Sequence, residues 1–280
     1  VGPKADIAAT LNNLAATAER VGEYPKAVKH FKEAIELARK NQVQVLEGRM
    51  LVNLAVVYAR LGELGPAWNT AGEVEELAAR IDDPRLRLSA VELQADVLRS
   101  CGLLAEAGAA MSAAHQAAVA MGDERKALSL AAQARTIESV IAGDPRPAVE
   151  AIGAVEAARL TDVATWLWLE LSMAARDAVT AVEYLNRVGR DHVSVHQGAV
   201  VDIATVRAGL LTGADGACRE AADAAAARLV ELDHLQLAER PYGRFLLAAR
   251  EHVRDLPQRT PASTFTVPDD VLTEVDEQAG

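Results

Sequence analysis

The sequence predicts an all-α fold built as a stack of helical hairpins. Three observations carry that expectation. The chain of 280 residues is 50% hydrophobic by count, yet only 4% is aromatic. Alanine, the strongest helix former, supplies much of the remainder, and few segments combine Val, Ile, Thr and aromatics as strands do. The phrase NLAATAERVGEYPKA at 13–27 returns as NLAVVYARLGELGPA at 53–67. Gly22, Gly62, Gly102 and Gly143 follow one another at intervals of 40, 40 and 41, each with an alanine five residues on: Ala27, Ala67, Ala107 and Ala148. Self-similarity at a fixed period of this size is the mark of a repeat architecture.

Each repeat reads as two helices. In the first unit, 5–40, Leu11, Leu14, Ala15 and Ala18 follow the i, i+3, i+4, i+7 spacing of one helix face. Gly22 ends that helix, because glycine takes the left-handed conformation without steric cost. Pro25 stands where the next helix begins and its missing N–H is harmless. Val28, Phe31, Ile35 and Ala38 give the second helix its apolar face, and Ala27 and Ala34 keep it slim where the helices meet. The second and third units, 43–80 and 84–121, repeat the scheme. The fourth, 124–160, departs from it in its first helix. Looser hairpins follow at 162–189 and 194–232, and a helix interrupted at Pro241 closes the stack at 234–255. One hairpin cannot bury its apolar face alone, so neighbours must stack. Residues 1–256 thus form one repeat domain. Residues 257–280 hold three prolines and an excess of acids, the composition of a flexible tail or linker.

The first two units resemble tetratricopeptide repeats. Leu11, Leu14–Ala15, Ala18, Gly22, Tyr24, Ala27, Phe31 and Ala34 fill that family's slots in unit one. Leu51, Leu54–Ala55, Tyr58, Gly62, Leu64 and Ala67 fill them in unit two. Unit three keeps Ala95, Leu98, Gly102, Leu104, Ala107, Met111 and Ala114, whereas Arg135 takes the leucine slot of unit four. The forty-residue period is similar to that of kinesin-light-chain-type repeats and of the sensor regions of large bacterial regulators. The resemblance implies a right-handed superhelical solenoid, a non-catalytic role, no cofactor, and recognition of a peptide or protein on the concave face. Small-molecule effector binding and a structural dimerisation arm are the alternatives, and a homodimer is an expected assembly.

Charge and cysteine usage bound the partners. The formal net charge is −11, and no basic stripe is evident in the sequence, which argues against direct binding to nucleic acid or to an anionic membrane. No apolar run approaches the length of a membrane span. Cys101 and Cys218 lie far apart and outside any metal-ligand spacing, as expected for buried thiols in a reducing cytoplasmic setting. The sequence begins with Val1, which fits a segment of a longer chain, and its Ala/Arg/Asp-rich composition, with no lysine after Lys126, resembles that of a high-GC bacterium.

The resemblance also locates a ligand face. Its exposed slots on the first helix of each hairpin fall on Asn12, Asn13, Ala16, Glu19 and Arg20, then on Arg49, Val52, Asn53, Val56 and Arg60. In unit three they fall on Ser89, Glu92, Asp96 and Arg99, and in unit four they turn apolar at Leu130, Gln133, Ile137 and Ile141. Asn13 and Asn53 share one slot, and an asparagine amide there can grip the backbone of an extended peptide. The arginines Arg20, Arg49 and Arg60 suit an acidic segment, such as the acidic run at 269–277. His192 and His196 stand four apart, but no glutamate follows the first and no third ligand suggests itself, so no metal site is expected. The glycines of 209–217 lack the strand and the Lys-Ser/Thr of a phosphate loop. Trp166 and Trp168 read as packing residues before they read as a binding stripe.

Overall fold

In a computed structural model, residues 3–61 and 63–188 are described, together with positions 198, 200–202, 204–205 and 208. Every element among them is an α-helix. None is long and apolar enough to cross a membrane. The chain divides into two compact units, Val1–Leu130 and Ala131–Gly280, each taken separately below. The hairpin assigned to 194–232, the helix at 234–255 and the tail lie outside the described residues, apart from the scattered positions named above.

The first unit holds α1 (Pro3–Arg20), α2 (Tyr24–Lys40), α3 (Gln44–Leu61), α4 (Leu64–Ile81), α5 (Pro84–Ser100), α6 (Leu104–Ala120) and the start of α7 (Glu124–Ala142). From α1 to α6 each helix packs against the next. Of the repeated alanines, Ala27, Ala67 and Ala107 are 0%, 1% and 0% exposed, as close helix approach requires. Larger side chains fill the space between them: Tyr24, Phe31, Met50, Leu77, Met111 and Leu130 are all but fully enclosed.

One backbone device closes the turns. The N–H of Glu23 donates to the carbonyl of Ala18, Val43 to Ala38, Glu63 to Tyr58, Asp83 to Ala78, Leu103 to Leu98 and Asp123 to Ala118, at 2.8–3.0 Å. This is the six-to-one bond of the Schellman motif, with a left-handed residue just before the donor. Gly22 and Gly102 supply that residue at φ +81° and +78° inside a hairpin. Gly62, the marker between them, lies outside the described residues. Between hairpins the position is held by Gln42, Asp82 and Gly122. At the described turns the forty-residue glycine therefore marks the turn within a hairpin, and Gln42 and Asp82 hold the same position at two of the alternate turns. Helix starts are set by acids: Asp83 Oδ1 accepts from the N–H groups of Arg85 and Leu86 at 2.9 and 3.0 Å, and Asp123 Oδ1 accepts from that of Lys126 at 3.1 Å.

Leu14 departs from expectation. Its echo Leu54 is 5% exposed, but Leu14 is 50% exposed. The slot faces backwards along the stack, and in α1 no preceding hairpin of the described residues covers it. Cys101, expected in the core, is also exposed, because it caps the C-terminus of α5 instead of lying along a packed face.

The second unit holds the end of α7, then α8 (Arg146–Ala157), α9 (Thr161–Ala174) and α10 (Ala178–Asn186). The same turn recurs, from Asp144 N–H to the Ser139 carbonyl and from Leu160 N–H to the Val155 carbonyl, with Gly143 and Arg159 left-handed. Buried hydroxyls tie these helices together. Ser139 Oγ accepts from the Ala148 N–H at 3.1 Å, and Ser172 donates to the Ala181 carbonyl at 2.8 Å. Trp168 is core: it is 2% exposed, its indole N–H donates to Glu156 at 2.8 Å, and its ring lies 5.6 Å from that of Tyr184.

Candidate functional site

Within the first unit contacts beyond chain neighbours join odd-numbered helices. α1 touches α3 and α3 touches α5 directly, while even helices meet one another at most marginally. Helices that approach one another more closely than their partners line the shorter side of a stack. The slots that the resemblance implies fall on α1, α3, α5 and α7.

Two polar rungs cross from α1 to α3. Asn53 Nδ2 donates to Asn12 Oδ1 at 3.3 Å. Arg60 forms an ion pair with Glu19. Both rungs join residues 41 apart, and they sit seven residues, two helical turns and about 10 Å, from each other. The members are half-buried, and burial pulls the Arg60 guanidinium below its ordinary value without discharging it. The Asn rung leaves hydrogen-bonding capacity over: an asparagine amide has two donors and an acceptor, so Asn12 keeps both N–H donors and Asn53 keeps its Oδ1.

A third rung lies further along. Lys126, at the start of α7, meets Glu92 of α5 at 2.5 Å. Burial pushes the Glu92 carboxyl above the usual glutamate range, and Lys126 pulls against that rise. Beside this pair Arg85, Leu88, Ser89, Met121, Asp123 and Lys126 line a shallow cleft of 150 Å³. Asp96 and Arg99 pair with each other along α5 at 3.3 Å.

The slots therefore separate into two groups. Asn12, Asn53, Arg60 and Glu92 are engaged in cross-helix pairs. Asn13, Arg20 and Arg49 are exposed, and neither arginine has a partner among the described residues. Asn13 does not meet Asn53. Its carbonyl accepts from the Thr17 hydroxyl at 2.9 Å, and the partner of Asn53 is the neighbouring Asn12. The apolar slots of α7 are not a groove lining as a set: Leu130 and Ile137 are 0% and 3% exposed.

Lys126 was not legible as a site residue, because its charge partner Glu92 lies 34 residues away and not 40 or 41. A second feature is local to α2. Of the six lysines, Lys26, Lys29, Lys32 and Lys40 all stand exposed on this one helix of an acidic chain. Lys26 pairs with Glu23 at 2.6 Å, and the Lys32 ammonium sits 5.6 Å from the centre of the Tyr58 ring.

Among the described residues no group of three His, Cys, Asp or Glu is placed to hold a metal ion. His192, His196, Cys218, residues 209–217 and the acidic run at 269–277 lie outside the described residues. His115 is structural, its Nδ1 2.9 Å from the Ala127 carbonyl between α6 and α7.

Compared with known families, residues 6–79 match the model of the tetratricopeptide repeat. No curated protein matches the chain.

Proposed function

We propose, from the match of residues 6–79 to the tetratricopeptide repeat, a unit that generally serves as a protein-interaction module, that the odd-helix face of the first unit binds an extended peptide segment of a partner protein. The observation that carries this reading is the Asn12–Asn53 rung. It leaves amide donors on one helix and an amide acceptor on the next, the complement of a peptide bond's C=O and N–H. Exposed Asn13 offers a further amide beside it. Arg20 and Arg49, exposed on the same two helices, favour a peptide that carries carboxylates. No covalent step is involved, and specificity comes from side chains read between the amide contacts.

The setting we infer is the sensor or scaffold arm of a larger bacterial regulator in the cytoplasm. Composition supports it: an Ala/Arg/Asp-rich chain without lysine after Lys126 and with only two cysteines, far apart in sequence. A bound partner would then shift the attached switch by no more than its differential affinity for the two states.

The small-molecule reading has less support. The cleft beside Lys126 measures 150 Å³, against the roughly 300–1,000 Å³ typical of ligand pockets. A peptide library displayed against the chain tests the proposal. Selected sequences should be acidic, and Asn53→Ala and Arg49→Glu should each weaken them about tenfold, near 1.4 kcal/mol. Peptides that bind the variants as well as the parent, with helicity intact, would refute it.

A further inference from the structure

The cleft on α5 has a size and a lining that suit one side chain. Arg85, Leu88 and Ser89 stand at i, i+3 and i+4, so they share one face near the start of that helix. The α6–α7 turn closes the cleft from the other side. Left-handed Gly122, at φ +69°, and the bond from the Asp123 N–H to the Ala118 carbonyl fold the chain back there, and Met121, Asp123 and Lys126 complete the lining. The space of 150 Å³ is small for a free ligand. A cavity of about that volume holds a benzene-sized group. A glutamate side chain, a short methylene stem with a carboxylate at its end, is a group of that order.

The lining is divided as that side chain is. Leu88, 6% exposed, and half-buried Met121 give an apolar wall. Three of the charged groups around it are already engaged. Lys126 holds Glu92, and Asp123 accepts from the Lys126 backbone N–H at the start of α7, where the helix dipole favours its negative charge. The Arg85 guanidinium has no partner among the described residues. Only the backbone of Arg85 is bonded, its N–H to Asp83 and its carbonyl to the Ser89 hydroxyl. A guanidinium left free in this way takes a carboxylate through parallel N–H groups. Lys126 can assist, because an ammonium has three donors and Glu92 does not exhaust them.

Ser89 and Glu92, in and beside the cleft, are also slots of the face to which the peptide is assigned. We propose that the cleft is a specificity subsite of that face, taking one internal glutamate of the bound segment, its methylenes against Leu88 and Met121 and its carboxylate on Arg85. This rests on the peptide reading above and names one side chain that the peptide must carry. Aspartate is a methylene too short to use both parts of the lining, and glutamine lacks the charge.

A synthetic library of short peptide amides, which offers carboxylates only on side chains, reads this directly. Selection against the whole chain should fix glutamate at one position, above aspartate and glutamine. Calorimetry on a selected peptide and on its glutamine form then completes a cycle with Arg85→Ala. The parent should lose about tenfold in affinity with the glutamine form and Arg85→Ala almost nothing. Asn53→Ala, which weakens both forms, should keep the parent's ratio. Arg85→Lys should recover part of the discrimination, and because Arg85 is exposed, circular dichroism and melting should stay unchanged in both variants. A glutamate read equally by the parent and Arg85→Ala overturns the proposal and leaves the peptide reading standing. So does a basic residue fixed at that position and lost with Asp123→Asn, which would assign the cleft to a cation. A library from which no sequence is selected overturns both.

Discussion

Asn53 is hydrogen-bonded to Asn12 at 3.3 Å, not to Asn13, the residue that shares its slot forty positions earlier. The repeat period is 40, but the contact period between α1 and α3 is 41, as the Glu19–Arg60 pair also shows. Neighbouring helices in the stack are offset by one residue from the register that similarity suggests.

That offset makes the stability effects of the asparagines unequal. Asn53→Ala or Asn12→Ala should each cost about 0.5–1.5 kcal/mol in urea unfolding, the loss of one hydrogen bond. Asn13→Ala should stay within about 0.5 kcal/mol of the parent. A double-mutant cycle should show coupling between positions 12 and 53 and none between 13 and 53.

Glu92 sets a pH dependence. Its folded-state pKa lies above the ordinary 4.5 because burial disfavours the carboxylate, with Lys126 opposing. The folded chain therefore holds this proton more tightly than the unfolded one. The resulting stability is complete below about pH 4.5 and is lost as pH rises through the raised value. Carboxyl NMR titration should place Glu92 above other glutamates, and Lys126→Ala should move it higher still. Glu92→Gln should remove this component of the pH profile of melting.

Two glycines should respond in opposite directions. Gly22 sits at φ +81° in the first turn, so Gly22→Ala should destabilise by about 1–2 kcal/mol. Gly72 lies inside α4, and a methyl added there meets nothing within 4 Å. Gly72→Ala should stabilise by about 0.5–1 kcal/mol through helix propensity. Thermal or urea unfolding of the two variants distinguishes turn glycine from helix glycine.

The alanine at each helix contact should resist enlargement. Ala27 and Ala67 are 0% and 1% exposed, so Ala27→Leu or Ala67→Leu should cost about 1–3 kcal/mol by overpacking. Ala16→Leu, on a half-buried slot of α1, should cost less. Calorimetry of the three variants provides the comparison.

What could be read along the chain was whatever depends on near neighbours. Helix or turn, the left-handed glycine after α1 and α5, the proline at the start of α2 and the small residues at 27, 67 and 107 all follow from spacing within one hairpin. Stacking decided the rest, because it relates residues about forty apart through packing that no local pattern encodes. It buried Leu54 and exposed its twin Leu14, since a repeated face is covered only where a neighbour lies behind it. It paired Asn53 with Asn12, since a one-residue offset between α1 and α3 turns each side chain to a different partner, and it brought Glu92 to a lysine 34 residues away.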